Sequence, residues 1–188
     1  MFKEIKISDS DLQSIQIFGF GTGRSANPKM AALKAQTNAM ANLVDQINGR
    51  EFSYQRSEKD IKFTSSLKGM LSKTEVVTSY GLSDNTILAI LSSPLPVAKL
   101  DLQNAFLLET EFRTGNLEKA LIEKYQTAVE ELISRKFKNK SGLAGKIYLS
   151  DIKLSDFEGK SDFAVSMKLL IVVSANENYR FYENTDIQ

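Results

Sequence analysis

Two amphipathic helical stripes set among short alternating segments constrain this chain more than any motif in it. From Lys29 to Asn48, the residues Met30, Leu33, Met40, Leu43, Val44 and Ile47 fall on one stripe at about 100° per residue, and Ala31, Ala32, Ala35, Ala39 and Ala41 favour the helix intrinsically. From Leu117 to Arg135 a second stripe runs through Leu117, Leu121, Tyr125, Ala128, Val129 and Leu132, with Glu118, Lys119, Glu123, Lys124, Glu130 and Glu131 on the opposite face. Pro28 and Gly115-Asn116 mark the two helix starts, and Asn48-Gly49 closes the first helix.

Around these helices the period drops to two. Strands are expected at Ser14–Phe20, Glu51–Gln55, Ile61–Thr64, Thr74–Leu82, Thr86–Ser92, Ala105–Phe112, Lys146–Leu154 and Asp162–Ser174. Ser83-Asp84-Asn85 reads as a hairpin turn, and Ser155 to Ser161, with Gly159, as another. Ser65 to Lys73 fits a short helix or a loop. The fold class is therefore α+β: two strand–helix–strand–strand units whose helices pack on mainly antiparallel sheet. Pro94-Leu95-Pro96 divides them into a first unit, 1–96, and a second, 97–175, followed by a polar tail, 176–188. Arg24 and Arg113 each end a strand and precede the pairs Gln36-Thr37 and Gln126-Thr127, which fits either a duplication or two convergent units.

What is missing from the chain narrows its chemistry. Its 188 residues hold no cysteine and no histidine, which removes disulfides, thiolate or imidazole metal sites, cysteine nucleophiles and the usual general base near neutral pH. No catalytic residue, no cofactor-binding residue and no metal ligand set is expected. The 24 basic and 23 acidic residues leave a net charge of +1, without the basic excess that nucleic-acid binding draws on, so no nucleic acid is expected as partner. No segment approaches the roughly 20 apolar residues of a membrane span. The opening Met1 to Ile7 lacks the apolar run of a secretory signal. The expected location is the periplasm or cell envelope if an export signal has been removed, and the cytoplasm otherwise.

Four patterns invite functional readings. The run Gly19-x-Gly21-x-Gly23 looks like a phosphate loop, but a dinucleotide fingerprint needs its third glycine one residue later and the helix immediately behind it. The alternative is that the glycines line one face of a strand and let another backbone approach closely. Arg24 and Arg113 form a candidate anion site, against surface arginines paired with nearby carboxylates. Glu109 and Glu111 share a strand face, which suits acid–base or cation chemistry if a third oxygen donor exists, and a solvated face if none does. Ala32, Ala35 and Ala39 make a second, small-residue face on the first helix. That face is a candidate interface to another subunit, and the same pattern suits packing against a sheet within the chain.

The segment from Gly19 to Phe52 resembles one family. A glycine-ended strand leads into Ala35, Ala39, Leu43 and Ile47-Asn48-Gly49-Arg50-Glu51-Phe52, the form A-x-x-x-A-x-x-x-L-x-x-x-I-x-G. This is similar to the twenty-kilodalton conserved bacterial envelope lipoproteins and their flagellar relatives, the flagellar proteins P and T, over about residues 15–92. The lipidated cysteine of the exported members has no counterpart here, and the second half matches only as a degenerate repeat. The resemblance implies a non-enzymatic structural or assembly module of the bacterial envelope or a surface structure, acting by self-association or docking on a protein partner. Two other functions remain open. One is a small-ligand or nucleotide-binding protein built on Gly19–Gly23 with Arg24, and the other is a virion or phage assembly component. Near Ile5-Lys6-Ile7 and at Met167 to Val173, edge strands are expected that a neighbouring copy could cover.

Overall fold

A computed structural model describes the chain apart from residues 9, 12–14, 47–48, 57–60, 67–74, 83, 96–99, 101, 139, 141, 158–161 and 175–188. Most of the 65–73 segment, Pro96 of the dividing break, Gly159 of the second turn and the 176–188 tail lie outside the described residues. The strands are β1 (Lys3–Ile5), β2 (Gln16–Arg24), β3 (Arg50–Arg56), β4 (Ile61–Ser66), β5 (Glu75–Gly81), β6 (Thr86–Pro94), β7 (Ala105–Thr114), β8 (Gly142–Ser155) and β9 (Phe163–Val173). The helices are α1 (Pro28–Gln46) and α2 (Leu117–Lys136).

The architecture is α+β, with both helices packed on antiparallel sheet. One sheet has six strands in the order β1-β7-β9-β8-β3-β4, and the other has three in the order β2-β6-β5. Every described pairing is antiparallel. The six-stranded sheet draws β1, β3 and β4 from the first half of the chain and β7, β8 and β9 from the second, joined where Arg50–Gln55 lies against Ile147–Gly142. The halves thus share one sheet. β9 runs through its middle, bonded to β7 on one side and β8 on the other, so Met167–Val173 is no edge. The reason is visible in its burial: Met167, Leu169, Leu170, Ile171 and Val173 are all inside, as a strand covered on both faces requires.

Local chemistry places the ends of these elements. Asn27 caps α1, its Oδ1 accepting from the Lys29 amide at 3.0 Å, with Pro28 at the first helical position. Gly49, at φ 75°, ends the helix, its amide donating to the Gln46 carbonyl at 2.8 Å. Asn116 caps α2 by accepting from the Lys119 amide at 3.1 Å. Asp84 and Asn85 both take positive φ in the β5–β6 hairpin, where two left-handed residues match the strand twist.

Two hydrophobic cores result, and the strands keep them apart. The larger holds the α2 face of Leu117, Leu121, Tyr125, Ala128, Val129, Leu132 and Ile133. The smaller holds Ala35, Ala39 and Leu43 of α1 with Ile17, Ala89, Leu91, Leu95, Tyr148 and Leu170. Alternation divides single strands between them: Leu88 and Ile90 of β6 enter the first, Ala89 and Leu91 the second.

Candidate functional site

The glycine run is strand throughout, not a loop after a strand. Gly19, Gly21 and Gly23 pair with Leu91, Ala89 and Ile87 of β6, and Arg24 still pairs with Thr86. All three glycines point their missing side chains at α1. A Cβ added at Gly19 would lie 2.5 Å from Leu43 Cβ, and at Gly21 and Gly23 it would fall on the Ala39 backbone nitrogen and the Ala31 carbonyl oxygen. The helix backbone therefore rests directly on the strand, the close-approach alternative set out above. The space a phosphate would need beside these glycines is filled by the helix.

The register between the two elements follows from their repeats. Four helical residues advance about 6.0 Å and two strand residues about 6.6 Å, so a column at i, i+4, i+8 stays in step with alternate strand positions. Ala31, Ala35, Ala39 and Leu43 form the column over the glycines, each at most 1% exposed. A second column, Lys34, Asn38 and Asn42, lies beside it and serves the outward edge of β2. Lys34 Nζ donates to the Arg24 carbonyl at 3.3 Å, Asn38 Nδ2 donates to the Thr22 carbonyl at 2.8 Å, and Asn42 Oδ1 accepts from the Phe20 amide at 3.1 Å. Three backbone groups on an edge strand thus find side-chain partners on the helix, which blunts that edge as a template for a foreign strand.

This geometry reverses the expected faces of α1. Ala35 and Ala39 are 0% exposed and Ala32 is half-buried, so the candidate interface on Ala32, Ala35 and Ala39 offers almost no surface to a partner. Met30, Leu33 and Met40, expected inside, are 46%, 56% and 36% exposed. Ile47 lies outside the described residues; among the described members of that stripe Leu43 is the one fully buried, because it also belongs to the alanine column. Only a small residue lets the helix come down onto glycines, so the larger side chains are turned away.

Arg24 and Arg113 do not converge: they stand on different sheets and line different cavities. Arg113 is held by Asp156 at 2.7 Å and Asp162 at 2.9 Å, and these two carboxylates push its pKa up. The arginine thereby pins the two ends of the β8–β9 connection instead of awaiting an anion. Glu109 and Glu111 lie on the face of the six-stranded sheet that the smaller core leaves open. The register sets charges of opposite sign side by side there, Lys3 to Glu109 to Lys168 to Asp151, as suits a solvated face. Among the described residues, no three of His, Cys, Asp or Glu gather as a metal site would need. No helix among them is long and apolar enough to cross a membrane.

Tyr125 sits deep in the larger core. Burial pushes the Tyr125 hydroxyl up to about 12, with the Arg50 charge pulling the other way by less; the Arg50 guanidinium lies 5.3 Å from the Tyr125 ring centre. The hydrophobic stripe of α1 points to neither the Lys34–Asn38–Asn42 column nor the outward Met30, Leu33 and Met40. The signal that finds them is the match between a G-x-G-x-G strand and an A-x-x-x-A-x-x-x-A helix, which fixes the inner column and hence both neighbours. Comparison with family models, with curated proteins and with solved structures gives no match.

Proposed function

We propose that this protein is a non-catalytic assembly module that works by self-association, with the outer face of α1 as its contact surface and a second copy of the chain as its partner. The observation that carries the reading is the exposure of Met30, Leu33 and Met40 on one helix face. The core has no need of them, since alanines fill the inner column of α1, and water is a poor neighbour for three large apolar side chains in a row. A near-balanced charge, 24 basic against 23 acidic residues, sets up little long-range repulsion between copies. The resemblance of Gly19–Phe52 to the envelope lipoproteins and flagellar proteins supports placing this assembly in the bacterial envelope or a surface structure.

Light scattering across micromolar concentrations tests the proposal. The expected result is a species heavier than the 21.0 kDa chain that returns to monomer in Leu33→Glu without loss of helical circular dichroism. A constant 21.0 kDa mass in the unaltered chain refutes self-association.

A further inference from the structure

A cleft of 550 Å³ opens between β2, the inner end of α1 and the start of α2, bringing together residues more than 60 positions apart in sequence, such as Asn42 and Asn116. Its volume falls within the range of small-molecule sites, about 300–1,000 Å³. Three asparagines line it, and each is fixed at one end by protein. Asn38 Nδ2 donates to the Thr22 carbonyl, Asn42 Oδ1 accepts from the Phe20 amide and from Gln46 Nε2 at 2.7 Å, and Asn116 Oδ1 accepts from the Lys119 amide. These bonds settle which end of each carboxamide is oxygen and which is nitrogen. They leave Asn38 Oδ1, Asn42 Nδ2 and Asn116 Nδ2 without a partner among the described residues. The lining therefore presents one acceptor group and two donor groups on anchored side chains.

The rest of the lining selects among ligands. Phe20 and Leu82 are half-buried and offer apolar surface, and Thr86 adds a hydroxyl. Glu118 is the one formally charged lining residue, and it is exposed. A carboxylate at the rim opposes anions, and one exposed carboxylate gives a cation little to exchange for its hydration. A neutral polyhydroxyl ring suits the set: its hydroxyls both donate and accept, and its C–H face can lie on Phe20 and Leu82. We propose that this cleft binds a neutral saccharide. The proposal stands apart from the α1 contact, whose Met30, Leu33 and Met40 are absent from the cleft.

Titration of the full ¹⁵N-labelled chain with maltose, cellobiose and diacetylchitobiose, each at millimolar concentration, tests it. The expected result with at least one sugar is saturable shifts of the Asn42 and Asn116 side-chain amides and of the Gly21 and Gly115 backbone, unchanged by added salt. Asn116→Asp keeps the helix cap but replaces the free donor by an acceptor, and binding should weaken about tenfold. Leu82→Trp, which fills the cleft from the hairpin side and leaves all three asparagines in place, should weaken it similarly. Four outcomes overturn the proposal: no cleft shifts with any of the three sugars, shifts scattered over the surface, undiminished binding by a folded Asn116→Asp chain, or the same signals moved by a neutral tripeptide amide and by none of the sugars.

Discussion

The two helices differ by one residue in length, 19 against 20, yet they are held by different physics. α2 buries leucines, a tyrosine, valine and isoleucine, and its attachment comes from apolar area withdrawn from water. α1 buries mainly alanines against glycines, so little side-chain area is involved and the attachment comes from backbone lying on backbone with many short dispersion contacts. A large stripe tolerates some repacking. A helix seated on glycines tolerates almost none, because there is no side chain to move aside. The comparison teaches that the hydrophobic stripe of a helix names its buried face only when the opposing surface has room for it.

Breaking the comparison should be easiest at the glycines. Gly21→Val would drive a branched side chain into the Ala39 backbone, and the chain should lose at least about 4 kcal/mol or fail to fold, as judged by urea titration. A loss under about 1 kcal/mol would show that α1 can lift off the strand at little expense. Leu121→Ala in α2 and Leu43→Ala in α1 should each lose about 2–5 kcal/mol, since both residues are fully enclosed.

The larger core also sets an alkaline limit that the smaller one shares in weaker form. Tyr125 holds its proton up to about 12 when folded, whereas an unfolded tyrosine releases it near about 10. Between those values the folded state binds the extra proton, so stability is level below pH of about 10 and falls as pH rises, by about 3 kcal/mol in all. Tyr148, in the smaller core, is also raised by burial and adds to the same slope. Tyr125→Phe should flatten most of that slope in denaturant titrations at stepped pH. An unchanged slope would locate the alkaline sensitivity elsewhere.

Smaller effects sharpen the contrast. Ser93 Oγ is buried beside Ile17 with no hydrogen-bond partner among the described residues, so Ser93→Ala should be neutral or stabilise by up to about 1 kcal/mol in thermal melts. Leu33→Ser on the outer face of α1 should change monomer stability by less than about 0.5 kcal/mol, despite replacing a leucine in a helix. A loss comparable with that of Leu43→Ala would return the outer stripe to the core.

Much of the fold was legible because it rests on local periodicity. The positions of α1 and α2, their asparagine and glycine ends, the β5–β6 hairpin and the antiparallel α+β class all follow from residue spacing and cap chemistry within short windows. The pairing of Arg113 with carboxylates and the solvated charge face were likewise readable as the ordinary fate of exposed ions. The extension of β2 through Arg24 was not, since isolated glycines read as a loop until β6 supplies a ladder and α1 a cover.

Sequence alone determined where the two helices and most of the strands lie, and that these 188 residues carry no histidine or cysteine side chain. Tertiary structure alone decided which face of α1 is inside, that β9 is central, and that β3 of the first half joins β8 of the second. The physical reason is that helix and strand periods are set by neighbours a few residues apart, whereas a buried face is chosen by the surface it meets. For α1 that surface is three glycines, which accept alanine and turn Met30, Leu33 and Met40 out to water.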